Sequence, residues 1–138
     1  MTSELQKKDH LKTSERLKAL EYGRDTELLV SEYLTQAGYK ILERNFRTRF
    51  GEVDIIALEK KCLVFIEIRG RNTSEGDRDP VQMLSKKKME RFKRASRIYL
   101  FKVVRFGGAR DEEFEEIRFD FVSVLGKRVS RHIKAWQV

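Results

Sequence analysis

The fold is decided by the stretch from Phe50 to Arg71, which reads FGEVDIIALEKKCLVFIEIRGR. This is the most apolar and β-branched part of a highly charged chain, and it divides into two strand-like runs, Glu52–Leu58 and Cys62–Arg69. Between the runs lie the polar residues 59–61, which are typical of a tight turn. The sequence therefore predicts a β-hairpin that contributes most of a central sheet.

Four charged residues lie inside these strand-like runs, namely Glu52, Asp54, Glu67 and Arg69. An unpaired charge is costly to bury in a sheet, so charges placed here against the apolar pattern are candidates for chemistry. Because side chains alternate along a strand, Glu52 and Asp54 share a face, and so do Glu67 and Arg69.

The register of the hairpin decides whether these charges meet. Pairing Glu59 with Cys62 across a two-residue turn places Asp54 opposite Glu67, where directly opposed Cβ atoms lie about 4.5–5.5 Å apart. Two carboxylates at that distance repel each other unless a proton or a cation lies between them. A slip of one residue would send Glu67 to the other face of the sheet and separate the pair.

The residues alone leave two interpretations of this cluster. The first is a divalent metal site, because carboxylate oxygens suit Mg²⁺ or Mn²⁺ and such sites commonly use one or two carboxylates with water and phosphate. The second is a cross-strand salt bridge between Glu52 and Arg69, which the same register also places opposite each other, on a solvated face. For a generic hairpin the second interpretation is favoured.

The strings GEVDIIA and VFIEIRGR resemble the core of the YraN family of uncharacterised bacterial proteins, within the restriction-endonuclease-like superfamily whose motif is written PD-(D/E)xK. Archaeal Holliday-junction resolvases look like more distant relatives. The resemblance extends to YGRDTELLVSEYLTQAGYKILERNFR and to RFDFVSV, so that it covers roughly Tyr22 to Trp136.

The resemblance implies a function as well as a fold. It assigns Asp54 and Glu67 as metal ligands, Glu27 as an additional ligand, and Arg69 to the position of the usual catalytic Lys. The implied activity is a Mg²⁺- or Mn²⁺-dependent endonuclease that hydrolyses DNA phosphodiester bonds, with branched or junction DNA as the substrate by analogy with resolvases. Glu52 lies next to this site as a possible auxiliary residue.

Arg69 departs from the family pattern, because Arg keeps its proton at any working pH and cannot copy a Lys that changes its pKa. It can still supply positive charge and orient a phosphate. The alternative function is therefore a non-catalytic nucleic-acid-binding protein that retains the nuclease fold.

Composition limits the class of protein. The length of 138 residues fits one domain, expected over residues 14–138 after a polar, disordered tail at residues 1–13. The net charge of +8 suits a polyanion, with DNA favoured as the partner. No apolar segment is long enough to span a membrane, and the single cysteine excludes an intrachain disulfide, so we expect a cytoplasmic protein.

A basic helix is predicted from Ser85, in the segment SKKKMERFKRASRIYLF. Met89, Phe92, Ser96 and Tyr99 form its inner stripe, and cations crowd the remaining surface. Like charges at helical spacing repel, and a phosphate backbone would relieve that repulsion. The candidates for nucleic-acid contact are Lys86, Lys87, Lys88, Arg91 and Arg94 on this helix, with Arg71 and Gln82 before it.

The remaining segments complete the fold prediction. Asp25 is expected to cap a helix that ends near Ala37, and Tyr39–Phe46 alternates as a strand. Ile117–Leu125 and Val129–Trp136 are the last strand candidates. We therefore predict a single three-layer α/β domain with a mixed central sheet flanked by helices. A resolvase would act as a homodimer to cut two strands symmetrically, although the sequence marks no dimer surface.

Overall fold

The computed structural model describes residues 3–71, 84–106 and 113–136. Two helices and five strands follow one another in the predicted order of helix, three strands, helix and two strands. They are α1 (Glu4–Gln36), β1 (Lys40–Thr48), β2 (Gly51–Glu59), β3 (Cys62–Arg71), α2 (Lys86–Phe106), β4 (Glu116–Leu125) and β5 (Arg128–Ile133).

The strands form one mixed sheet in the order β1-β2-β3-β4-β5. Neighbouring strands are antiparallel, except for β3 and β4, which are parallel. Parallel neighbours need a crossover connection, and α2 lies in the connection between these two strands. The mixed sheet confirms the predicted fold class.

The predicted hairpin register is present in the structure. Glu59 pairs with Cys62, and the ladder continues to the pairing of Ile55 with Ile66. The turn residue Lys60 has a left-handed φ of 54°, as a tight two-residue connection requires. Extension of this register places Asp54 across from Glu67.

Each face of the sheet packs on one helix. On the α1 face, Val30 and Leu34 pack against a cluster that includes Val64 and Ile66. On the other face, Phe92 and Tyr99 of α2 pack in a mixed aliphatic and aromatic cluster that includes Phe65, Phe119 and Trp136. This is the predicted three-layer arrangement, with the sheet buried on both faces.

Helix α1 begins at Glu4, well before the start that the sequence predicts at Asp25. Ser3 and Gln6 form a capping box, in which each side chain bonds the backbone of the other, and this satisfies the first amide groups of the helix. The helix thus runs through the segment for which the sequence predicts a disordered tail. Every side chain from Ser3 to Glu21 is exposed, so this part of α1 makes no core contact.

Of the helices that the structure describes, none combines the length and apolar character needed to cross a membrane.

A buried carboxylate organises one end of the α1 face. Asp120 of β4 is fully buried and accepts hydrogen bonds from Arg118 Nε at 2.7 Å, Tyr39 Oη at 2.9 Å and the Ala135 amide at 3.2 Å. His132 Nε2 lies 2.8 Å from the same carboxylate. Burial alone would favour the neutral acid, but the hydrogen bonds from His132, Arg118 and Tyr39 hold the pKa of Asp120 well below its usual range.

We expect Asp120→Asn to lower the free energy of unfolding by about 3 kcal/mol at pH 7, because it removes one of the two carboxylates, Asp120 and Glu59, that pair with the half-buried Arg118. A carboxylate with a lowered pKa stabilises the fold above its unfolded pKa of about 3.9 and loses that contribution as the pH falls. The deficit of the variant should therefore shrink below about pH 4. Urea unfolding at pH 7 and pH 3 measures both effects. Glu116→Gln, on the exposed start of β4, is the control, and equal stability of Asp120→Asn and wild type at pH 7 would contradict the assignment.

Candidate functional site

The pairing of β2 with β3 ends just before Asp54. On the β3 side the ladder ends at Ile55, and on the β1 side the pairing passes over Asn45 and Asp54. Asn45 has a left-handed φ of 51°, which interrupts the regular pleat of β1. The Asp54 carboxylate accepts a hydrogen bond from the backbone amide of Ile68 at 2.8 Å. The opening in the sheet thus leaves Asp54 held by β3 through its side chain instead of its backbone.

The carboxyl groups of Asp54 and Glu67 meet at this opening. Each carboxyl group perturbs the pKa of the other, so the two lie close enough to interact. Burial raises the pKa of Glu67, and the neighbouring charge of Asp54 raises it further. Burial also raises the pKa of Asp54, against the lowering effect of the Ile68 amide. The pair is therefore a half-buried acidic site whose raised pKa values favour the protonated form, and a cation could take the place of a proton there.

Positive side chains surround the carboxyl pair in a cleft of about 220 Å³. Asp54 and Glu67 line this cleft together with Arg69 of β3 and with Lys88 and Arg91 of α2. The Nε atom of Arg69 is buried and makes no hydrogen bond with the described residues. Opposed acidic groups and an unsatisfied guanidinium donor in one cleft form an arrangement that can accept both a cation and a phosphate.

Glu27 lies on the other side of Asp54. Both residues line a second cleft of about 220 Å³ beneath α1. Asn45 Nδ2 donates to both carboxylate oxygens of Glu27, at 2.8 and 2.9 Å, and so fixes the orientation of this group. Across residues 3–71, 84–106 and 113–136, no three Asp, Glu, His or Cys side chains converge in a metal-ligand arrangement. Asp54 and Glu67 are thus brought together, and the ligand role of Glu27 stays a prediction.

Glu52 occupies the rim of the acidic cleft. Its carboxylate lies 3.6 Å from Arg47 Nε of β1, across the pairing of these two residues. The β2–β3 ladder ends at Ile55, before it reaches either the Asp54–Glu67 or the Glu52–Arg69 position. Glu52 forms its ion pair with Arg47 of β1, which differs from the predicted salt bridge between Glu52 and Arg69.

The predicted basic surface of α2 is exposed. Lys87, Arg91 and Arg94 follow one another at spacings of four and three residues, so they share one flank of the helix, and Lys88 and Arg91 enter the cleft. Lys86 is also exposed, while Arg71 is half-buried at the end of β3. Gln82 lies outside the described residues, so its contact with phosphate stays a prediction.

Sequence reasoning missed Asn45. Its signal was weak, since Asn is disfavoured in strands but also common on their exposed faces. Its importance comes from a left-handed backbone conformation, which Asn tolerates better than most residues, and from a contact with Glu27 eighteen positions earlier. Only the packing of α1 on the sheet brings these two residues together.

The family model described as uncharacterised protein family UPF0102 matches residues 26–124, which include the carboxyl pair, Arg69 and α2. The chain belongs to the UPF0102 family. Similar UPF0102 proteins occur in Persephonella marina, 38% identical over 81% of this chain and 89% of the relative, and in Syntrophomonas wolfei, 38% identical over 82% and 94%. The relative from Thermotoga maritima is 32% identical over 82% of this chain and 94% of its own length. This confirms the family resemblance, and the names of these relatives state no activity.

In this UPF0102 protein we expect Glu67→Gln to be more stable than wild type at pH 8. An acid whose pKa is raised by folding costs stability as the pH rises above its unfolded value of about 4.3. The gain should be about 2 kcal/mol at pH 8 and small near pH 4.5, because Gln, unlike Glu67, needs to take up no proton when it packs beside Asp54 on folding. Thermal and urea unfolding at both pH values measure it. Glu43→Gln, at an exposed carboxylate of β1 away from the cleft, is the matched control, and a Glu67→Gln protein that is less stable at pH 8 would contradict the assignment of an interacting carboxyl pair.

Proposed function

We propose that this UPF0102 protein is a Mg²⁺- or Mn²⁺-dependent endonuclease that hydrolyses DNA phosphodiester bonds, with branched or junction DNA as the preferred class. The observation that supports it is the meeting of the Asp54 and Glu67 carboxyl groups in a cleft that Arg69, Lys88 and Arg91 also line. A purely structural ion pair would not combine two mutually repelling acids with a buried, unsatisfied guanidinium donor.

The residues present fit a hard divalent ion. Asp54 and Glu67 would hold it, because their oxygens are the ligands that Mg²⁺ and Mn²⁺ prefer and because the ion would replace the proton that now offsets their repulsion. When bound, such an ion lowers the pKa of a coordinated water and offsets the charge on the reacting phosphate.

The cations of the cleft would handle the phosphate. Arg69 offers its unsatisfied Nε–H donor and a permanent positive charge, which would stabilise the charge that develops on the phosphoryl oxygens. Lys88 and Arg91 would bind neighbouring phosphates and fix the position of the backbone relative to the carboxyl pair.

Glu27 has a supporting place in this scheme. Asn45 fixes its carboxylate beside Asp54, and the group faces the cleft on the α1 side. From there it would orient a water molecule near Asp54, or act as the additional ligand that the family resemblance implies. The proposed partner is DNA in the cytoplasm, and a homodimer would present two such clefts to the two strands of a junction.

A second candidate function is binding of nucleic acid without cleavage. It is favoured by Arg69, since a guanidinium cannot give up its proton and so cannot replace a Lys that acts through a shifted pKa. The basic surface formed by Lys86, Lys87, Lys88, Arg91 and Arg94 would serve this function unchanged. Both candidates predict binding that weakens steeply with salt, so cleavage must separate them.

The test measures cleavage and binding of labelled single-stranded, duplex and four-way DNA with Mg²⁺ or Mn²⁺. We expect wild type to cleave at least one of them, and Asp54→Asn and Glu67→Gln to lower the rate at least about 100-fold, since each removes a ligand charge. Binding, measured without divalent ions, should stay equal or tighten, because each variant removes negative charge near the phosphates. Arg69→Ala should lose about as much cleavage as the carboxyl variants.

Glu43→Gln, an exposed carboxylate of β1 away from the cleft, is the matched control and should cleave like wild type. Salt-sensitive binding without cleavage by wild type would reject the nuclease and select the second candidate. Cleavage gained in Arg69→Lys would then trace the missing activity to the guanidinium. Cleavage that survives in both carboxyl variants would show that the reaction occurs elsewhere or in a contaminant.

A further inference from the structure

An exposed phenylalanine lies at the tip of the β1–β2 hairpin. Arg49 and Phe50 form the two-residue turn between Thr48 and Gly51, and the Phe50 side chain is 49% exposed. Such turns favour Gly, Asn, Asp or Ser, and a phenylalanine at the tip gains little from burial. Packing within the described structure therefore does not account for this side chain.

The turn that carries Phe50 is held from two sides. Thr48 Oγ1 accepts hydrogen bonds from the amides of Phe50 at 3.1 Å and Gly51 at 3.0 Å, and it donates to the Gly51 carbonyl at 2.9 Å. Gly51 is buried against the backbone of Arg91 on α2, where a Cβ atom would overlap the Arg91 carbonyl. These contacts fix the backbone of the turn that carries the ring. Little conformational entropy would therefore be lost when the Phe50 ring contacts a ligand.

The surroundings of Phe50 are basic. The Arg49 guanidinium lies 5.6 Å from the centre of the ring, and exposed Arg47, which pairs with Glu52, precedes it on the same hairpin. Arg91, against which the turn packs, also lines the cleft of the acidic pair, as does Glu52 two residues after Phe50. The turn that carries the ring therefore lies next to Arg91, a residue that lines the cleft of the proposed reaction site.

We infer that Phe50 stacks on an unpaired base of the bound nucleic acid, so that the substrate carries unpaired nucleotides at a fork, flap or junction beside the cleft. This rests on the proposed function, because it places the scissile strand across Asp54 and Glu67. Every base has a face on which an aromatic ring can stack, whereas the bases of a continuous duplex are already stacked and must be extruded at a cost. The arginines that surround Phe50 suit phosphate better than they suit an apolar protein partner.

The test uses DNA that carries 2-aminopurine as the first unpaired base of a fork, together with a blunt duplex and a single strand of the same sequence. Dissociation constants are measured by anisotropy in EDTA, so that cleavage does not intervene. Wild type should bind the fork and single strand more tightly than the duplex, and its binding should quench the 2-aminopurine emission by stacking. Phe50→Ala should weaken fork and single-strand binding about tenfold, leave duplex binding nearly unchanged and abolish the quenching.

Two further variants serve as controls. Phe50→Trp should keep the affinity and the quenching, since it retains an aromatic face. Phe101→Ala removes another exposed phenylalanine with an arginine, Arg105, 5.6 Å from its ring. Because Phe101 lies ten residues beyond Arg91, about 15 Å further along α2, this variant should bind all three DNAs like wild type.

The outcomes separate the inference from the proposed function. Failure of wild type to bind any nucleic acid would overturn both. Normal binding with no preference for the fork, or with no change in Phe50→Ala, would overturn the stacking role alone. The stacking role would also be overturned if Phe50→Ala lost as much affinity for the duplex as for the fork, or if Phe101→Ala lost as much affinity as Phe50→Ala. A change in the sedimentation of Phe50→Ala without loss of quenching would overturn it as well, in favour of a protein contact.

Discussion

The register of β2 on β3 holds the carboxyl groups of Asp54 and Glu67 together against their mutual repulsion. Water would separate the two groups, and burial raises the pKa of each. Two apolar clusters, one beneath each helix, provide the stabilisation that keeps the strands in place. The acidic cleft therefore depends on a sheet that is buried on both faces and that cannot slip by one residue without losing the site.

A second carboxylate of the same sheet, Asp120, shows how hydrogen-bond partners can stabilise a buried negative charge. Asp120 is fully buried, but Arg118, Tyr39 and His132 satisfy its oxygens and lower its pKa. Asp54 and Glu67 are half-buried beside each other, and the pKa is raised in each case. The sheet thus contains one carboxylate whose charge is compensated by its hydrogen-bond partners and one carboxyl pair whose repulsion is not compensated. Raised pKa values such as those of the pair are characteristic of functional sites.

The parts of the fold that follow local patterns were predictable from the sequence. The strands β2 and β3, the turn at Lys60 and the buried stripe of α2 arise from spacing and residue type within a short window. The network around Asp120 was not predictable, because Tyr39, Arg118 and His132 meet only after the sheet and α1 have packed.

The candidate site likewise has parts that follow from local sequence and parts that depend on long-range packing. The register alone indicates that Asp54 faces Glu67, whereas the left-handed Asn45 and its hold on Glu27 depend on long-range packing. The start of α1 at Glu4 was missed for a different reason. Its first turns bury nothing, so the apolar periodicity that reveals other helices is absent there, and a capping box marks its beginning.

Charge balance links the two halves of the proposed site. With Glu67 protonated, the carboxyl pair carries about one negative charge and Glu52 adds a second, and the three cations Arg69, Lys88 and Arg91 exceed them. A divalent ion in place of the proton would neutralise both carboxylates and leave all three cations to attract phosphate. Phosphate oxygens would in turn complete the coordination of the ion, which two carboxylates leave open. The ion and the nucleic acid would then each strengthen the binding of the other. This mutual effect would follow from the charges of the cleft, whether or not Arg69 permits hydrolysis.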